Sequence, residues 1–241
     1  MAELSAIQRA NAIPLITLEA WQPSAGTNQP QFAFARLLSG AFDTDLHRWG
    51  AELAQWGRPI LLRFAQEMNG TWYPWSIGVN GNSTRSFRAA WSHVHAIVKE
   101  HAPNVRFVWA PNVVGEGIRD FTDCYPGAHL VDYLGLDGYN WGAIPGHRWR
   151  SAHELFSASI ATLMALDANS PIILTEVGCA DGDYPSHKAQ WIRDFFTLIE
   201  SNERVSGFLW FQMDKERNWR FNSTRASTYA FREGLAGWAS R

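Results

Sequence analysis

The sequence predicts an α/β fold built on parallel strands, and three observations carry that reading. Apolar runs of strand length alternate with longer amphipathic segments, the pattern of repeated βαβ units. Each apolar run ends in a polar loop bearing Gly or Trp. The 241 residues suit one large domain, because α/β barrels run to roughly 200–250 residues as a single unit.

Taken in order, the chain opens on what reads as a helix tail, Glu3–Ala12, and enters a first strand at Pro14–Ala20. A helix over Asp43–Trp56 leads to a strand at Pro59–Phe64, and a helix over Ser83–His101, capped by Ser83 or Thr84, leads to one at Arg106–Ala110. The run Tyr133–Asp137 is the next strand, followed by a helix at His153–Asp167. A strand at Pro171–Thr175, a helix at Ser186–Ser201 with Ser186 as its cap, and a strand at Val205–Phe211 complete the alternation. Beyond Arg217, Asn222-Ser223-Thr224 reads as a loop and Tyr229–Trp238 as a last helix. Parallel strands joined by helices form an open doubly wound sheet or a closed barrel. No Gly-rich phosphate turn follows the first strand, so the TIM (β/α)8-type barrel is favoured. With six runs in place of eight, that barrel reads as incomplete, with about six βα units. There is no internal repeat, low-complexity tract or linker, so residues 1–241 are expected to form a single domain.

Composition narrows the function classes. The chain is 46% hydrophobic and 18% charged with a formal net charge of −2, too weak a field to recruit nucleic acid. No run of 18 apolar residues offers a membrane span, and Met1-Ala2-Glu3-Leu4 lacks the basic start and apolar stretch of a signal peptide. Cys124 and Cys179 have no CxxC spacing and no paired His, so they read as free thiols with neither a disulfide framework nor a metal site. No cofactor is expected.

Chemistry concentrates on Glu67 and Glu176, each at the end of an apolar strand run. A carboxylate at the C-terminal end of a barrel strand sits where that fold places its chemistry. Two such carboxyls are what glycosidic cleavage requires, about 5–5.5 Å apart for retention and roughly 6.5–9.5 Å for inversion. Glu67 lies among Gln66, Asn69, Trp72, Tyr73 and Trp75, an environment able to raise a carboxyl pKa toward that of a working acid. The chain holds 13 tryptophans, whose indoles suit the apolar faces of sugar rings. Trp49, Trp56, Trp91 and Trp191 fall within helix patterns and read as core filling, whereas Trp72, Trp75, Trp141 and Trp210 at strand ends read as sugar platforms.

The run Arg63-Phe64-Ala65-Gln66-Glu67-Met68-Asn69-Gly70-Thr71-Trp72-Tyr73-Pro74-Trp75 resembles the acid/base motif of glycoside hydrolase family 26, the β-mannanase family. Four further blocks agree in order: Phe107–Asn112, Tyr125-Pro126-Gly127 leading to Val131–Trp141, Leu174–Gly178 and Gly207–Phe211. The resemblance implies Glu67 as acid/base on the fourth barrel strand, Glu176 as nucleophile on the seventh, and retention of configuration. It further implies that Tyr139 hydrogen-bonds the nucleophile, that Trp72 and Trp210 wall the central subsites, and that Arg63 and Asn112 are polar supports. Gln66 stands where many members carry His, and an amide cannot titrate near neutrality. Matched to the family, Pro14–Ala20 is the third strand and the first two are absent. An open partial barrel, a homodimer covering the exposed edges and a fragment of a larger gene product are the three outcomes for that gap. The function expected is a retaining endo-β-glycanase acting on β-1,4-mannan or a related β-glucan or xylan. The alternative is a carbohydrate-binding protein that kept the aromatic cleft and lost turnover. Exported relatives that degrade plant polymers suggest a secreted parent.

Overall fold

A computed structural model describes residues 2–115 and 117–240. Among these residues it contains six strands in a sheet whose order repeats chain order, with the first to the second, the second to the third, the third to the fourth and the fifth to the sixth paired in parallel. The contacts resolve into two compact units, one running through Leu134 and the other beginning at Gly135.

The first unit holds helix α1 (Ala2–Arg9), strand β1 (Leu15–Leu18), helices α2 (Phe34–Leu38) and α3 (Asp43–Gln55), strand β2 (Ile60–Phe64), helix α4 (Thr84–His101) and strand β3 (Val105–Trp109). Strand β4 (Tyr133–Asn140) begins at its end, where Val108 pairs with Tyr133 and Trp109 with Leu134. Leu15 pairs with Leu61 and Ile60 with Val105, which sets β1, β2 and β3 in register. Strands β2 and β3 are largely buried, as strands of a helix-covered parallel sheet are. The core is aromatic: Trp91 of α4 is fully buried, 6.1 Å from Phe64 of β2 and 5.9 Å from Phe107 of β3 between ring centroids. Its indole N–H donates to the Leu130 carbonyl, so burial leaves no polar atom orphaned. Helix α4 starts where its sequence says it should, because Ser83 and Ser86 form a reciprocal capping box.

The second unit holds the rest of β4, helix α5 (Ala152–Leu166), strand β5 (Ile172–Cys179), helix α6 (Pro185–Glu200), strand β6 (Val205–Trp210) and helix α7 (Arg225–Ala239). Trp191 and Phe195 of α6 stack at 5.8 Å and 4°, and Phe195 meets Phe208 of β6 edge-on at 5.3 Å. Capping boxes start α5 at Ser151 with Glu154 and α7 at Thr224 with Ser227.

Several boundaries differ from expectation. Strands β4 and β5 run on to Asn140 and Cys179, past the point where their apolar runs stop, because side-chain and backbone bonds between them continue. Helix α6 is capped at Tyr184 with Pro185 as its first residue, not at Ser186. The short helix α2 was not predicted, and α7 begins at Arg225, four residues before the expected start. Trp49 and Trp56, expected in the core, are only half-buried. No helix among the described residues is long and apolar enough to cross a membrane.

Candidate active site

In the first unit the polar residues gather at the C-terminal ends of β1, β2 and β3. Past Phe64 the backbone leaves the strand through two left-handed residues, Ala65 at φ 47° and Glu67 at φ 52°. Non-glycine residues adopt that region at a cost of order 1–3 kcal/mol, and such turns recur where a side chain must be aimed. The turn is held by the Glu67 amide, which donates to the Ala110 carbonyl at 2.8 Å.

The Glu67 carboxylate, 6% exposed, accepts hydrogen bonds on both oxygens. Asn112 Nδ2 donates to Oε1 at 2.5 Å, and Trp72 Nε1 donates to Oε2 at 2.7 Å. Asn112 is itself fixed, because its backbone N–H donates to Asn69 Oδ1 at 2.9 Å while Asn69 Nδ2 returns a bond to the Asn112 carbonyl at 2.9 Å. Trp72 lies over Gly70, where a Cβ would stand 2.5 Å from the indole, so glycine is required there. At 39% exposed, Trp72 keeps its face open while its N–H is used.

Gln66 is almost fully buried, and its Nε2 donates to Glu19 Oε1 at 2.5 Å from just beyond β1. Its Oε1 is buried with no hydrogen-bond partner. Arg63 is buried, and its Nε donates to Thr17 Oγ1 at 3.1 Å. Trp75 departs from the reading as a sugar platform. It is 2% exposed, stacks on Tyr73 at 4.3 Å and spends its N–H on the Gln66 carbonyl at 2.7 Å, so it supports the turn from beneath.

In the second unit Glu176 lies within β5, not beyond its end. Between the pairs Leu174 with Phe208 and Val177 with Trp210, β5 advances three residues while β6 advances two. This bulge falls on Thr175 and Glu176, and bulges re-aim side chains beside active sites. Tyr139 Oη of β4 donates to Glu176 Oε2, and two residues earlier Thr175 Oγ1 donates to the fully buried Asp137. The Tyr139 ring lies over Gly178, where a Cβ would stand 2.4 Å from it, and meets Trp219 edge-on at 4.9 Å.

Trp141 is half-buried with one face stacked on His147 at 4.9 Å, and Trp210 is half-buried with its N–H donating to the Trp219 carbonyl at 2.8 Å. Trp219 and Glu19 are site residues that sequence reasoning missed. A cavity of about 250 Å³ in the same unit is lined by Trp149, Asp181, Asp183, His187 and Arg217, among others. Below it the buried Lys188 donates to Asp181 at 3.2 Å and to the Asn218 carbonyl at 2.8 Å, and burial lowers its pKa. Burial pushes the Cys179 thiol up to about 12, and the Cys124 thiol likewise to about 12, which disfavours the thiolate at both.

The sequence profile described as glycosyl hydrolase family 26 matches residues 27–206, three-quarters of the chain. The chain belongs to glycosyl hydrolase family 26. Endoglucanase H of Acetivibrio thermocellus is 32% identical over 243 residues, covering 98% of this chain and 25% of that protein. A β-1,3-xylanase from a Vibrio species is 23% identical over 213 residues, covering 77% of this chain and 42% of that protein. The chain thus spans less than half the length of these two relatives. Among solved structures, the catalytic domain of a family 26 endo-β-1,4-mannanase from Bacillus sp. JAMB-750 matches with a TM-score of 0.73 at 17% identity, over 97% of this chain and 68% of that one. That likeness identifies the fold as a partial TIM barrel with six parallel strands and helices between them.

Proposed function

We propose that this family 26 chain is a glycoside hydrolase, a retaining endo-β-glycanase that cuts β-1,4-mannan or a related β-glycan. Glu67 is assigned as acid/base and Glu176 as nucleophile, within one catalytic domain spanning the chain. The observation that carries the reading is the Glu67 carboxylate itself: nearly buried at a strand's C-terminal end, aimed by a left-handed turn and held by Asn112 on one oxygen and Trp72 on the other.

One donor on each oxygen fixes the direction in which the Glu67 carboxyl faces. Glu67 first protonates the departing glycosidic oxygen while Glu176 attacks the anomeric carbon, and Glu67 then takes a proton from the water that releases the glycosyl-enzyme. The tyrosine bond to Glu176 Oε2 orients the nucleophile. Trp72 offers an open face to a sugar ring. Gln66 Oε1, buried and unpartnered, is an acceptor that a sugar hydroxyl would satisfy. The cavity beside Trp149 and Asp181 suits a further glycosyl unit.

Names of relatives widen the substrate panel: one is an endoglucanase and one a β-1,3-xylanase. The test is reducing-sugar release from β-1,4-mannan, β-1,4-glucan, mixed-linkage β-glucan and β-1,3-xylan, with Glu67→Gln and Glu176→Gln beside the parent. Release from one polymer that both variants lose supports the assignment and names the substrate. Glycan binding by the parent without any turnover would instead favour the carbohydrate-binding alternative.

A further inference from the structure

Helices α3 and α4 pack side by side in the first unit, and at one end of their contact three ligand-type side chains converge. His47 Nδ1 of α3 lies 2.8 Å from His101 Nε2, the last residue of α4, and 4.0 Å from Glu100 Oε2. One ligand atom from each residue lies within 4.8 Å of the other two. The side chains of His47 and Glu100 are 45% and 65% exposed, so solvent and ions reach them.

We propose that His47, Glu100 and His101 form a binding site for a divalent transition metal of the Zn²⁺ class, which clips the C-terminus of α4 to α3. Two imidazoles and one carboxylate are a zinc-type donor set, and water completes the tetrahedron. Bond lengths of about 2.0–2.1 Å in a tetrahedron place ligand nitrogens about 3.3 Å apart. The histidine pair therefore opens by about half an ångström, and the Glu100 carboxylate closes on His47 by about 0.7 Å, both within reach of exposed side chains. Without metal the two rings must share one proton along their contact, and the metal replaces that proton.

Two features favour a cation here beyond the donors. The site caps the C-terminus of an 18-residue helix, where the backbone dipole presents negative potential. Residue 50, three past His47 in the middle of α3, is a buried glycine, and a Cβ there would stand 3.1 Å from the His101 ring and its Cβ. Glycine inside a helix costs about 1 kcal/mol relative to alanine, and here it lets His101 reach the His47 edge. The neighbouring contact between the same helices, His93 Nε2 with Asp43 Oδ1 at 2.7 Å, pairs one imidazole with one acid and lacks the second nitrogen. Because His101 ends the helix that leads through a three-residue turn into β3, the site stands at the N-terminal ends of the strands, the face where barrels place stability and not chemistry.

The test uses tag-free, chelator-washed protein titrated with Zn²⁺ while thermal unfolding is followed, with Co²⁺ as an optical probe. Zn²⁺ at about 100 times its Kd raises the melting temperature by a few degrees. Co²⁺ gives visible bands of a four-coordinate site, which Zn²⁺ then bleaches. His47→Ala and His101→Ala each remove both signals, Glu100→Gln weakens binding about tenfold, and Ca²⁺ does nothing because nitrogen donors suit transition metals. A parent protein with neither a melting shift nor Co²⁺ bands, or a shift that persists in both histidine variants, overturns the assignment. Should one variant fail to fold, the Co²⁺ spectrum of the parent decides.

Discussion

Tyr139 donates its phenolic proton to Oε2 of Glu176, across two adjacent strands of the second unit. The bond depends on Gly178, since any side chain there would displace the tyrosine ring. Tyr139→Phe keeps the ring and its contacts with Phe211 and Trp219 and removes only the donor. Hydrogen bonds to charged groups contribute about 1.5–3 kcal/mol, so kcat/KM should fall about 10- to 100-fold with the melting temperature nearly unchanged. Steady-state kinetics on the active polymer, beside a thermal melt, check this. A variant as active as the parent would remove Tyr139 from the machinery.

The two donors on Glu67 separate orientation from sugar contact. Asn112→Ala removes the donor to Oε1 and keeps the two bonds to Asn69, which run through the backbone of residue 112, so kcat should fall about 10- to 100-fold without loss of the turn. Trp72→Phe removes the donor to Oε2 but keeps an aromatic face, whereas Trp72→Ala removes both. The phenylalanine variant is expected to lose mainly kcat, and the alanine variant to raise KM as well. Initial rates over a range of oligosaccharide concentrations distinguish the two; equal KM values in both variants would deny Trp72 a stacking role.

The order of elements and the family motifs were legible because each is a local pattern. Apolar runs bounded by polar loops locate strands, and Glu67 and Glu176 sit where those runs stop. What the sequence did not reveal depends on contacts between distant segments. Glu19 is recognised only when β1 and β2 pair and Gln66 reaches it, 47 residues away. The bulge that carries Glu176 exists only in the pairing of β5 with β6. Trp75 had the same local setting as Trp72, yet one is buried and the other open, a difference set by how the turn folds back on Gln66. His47 and His101, 54 residues apart, match no metal-binding spacing.

The thiols of Cys124 and Cys179 should be silent in the native protein. Both are buried, and with thiol pKa values of about 12 only about one in ten thousand is ionised at pH 8. Ellman's reagent should therefore find almost no reactive thiol in native buffer and two in denaturant. Rapid native reaction of either would mean that its surroundings open far more often than its burial suggests.

Acid should weaken the start of α5 before neutral conditions do. The Glu154 carboxylate accepts the Ser151 backbone N–H at 2.8 Å in a capping box and a bond from Arg148 at 3.2 Å, and these hold its pKa below the ordinary glutamate range. A carboxyl whose folded-state pKa is depressed adds stability above its unfolded pKa and loses it as pH falls through the folded value. The contribution is thus complete at neutrality and fades below about pH 4, where unfolded glutamate takes up its proton first. Glu154→Gln keeps a side chain able to accept from Ser151 but cannot titrate, so its urea midpoint should fall less between pH 5 and pH 3 than the parent's, a window of about two pH units around that pKa. Because Glu154 is exposed, the difference should also shrink in high salt. Parallel pH profiles for the two proteins would show that the charge on Glu154 does not support the cap.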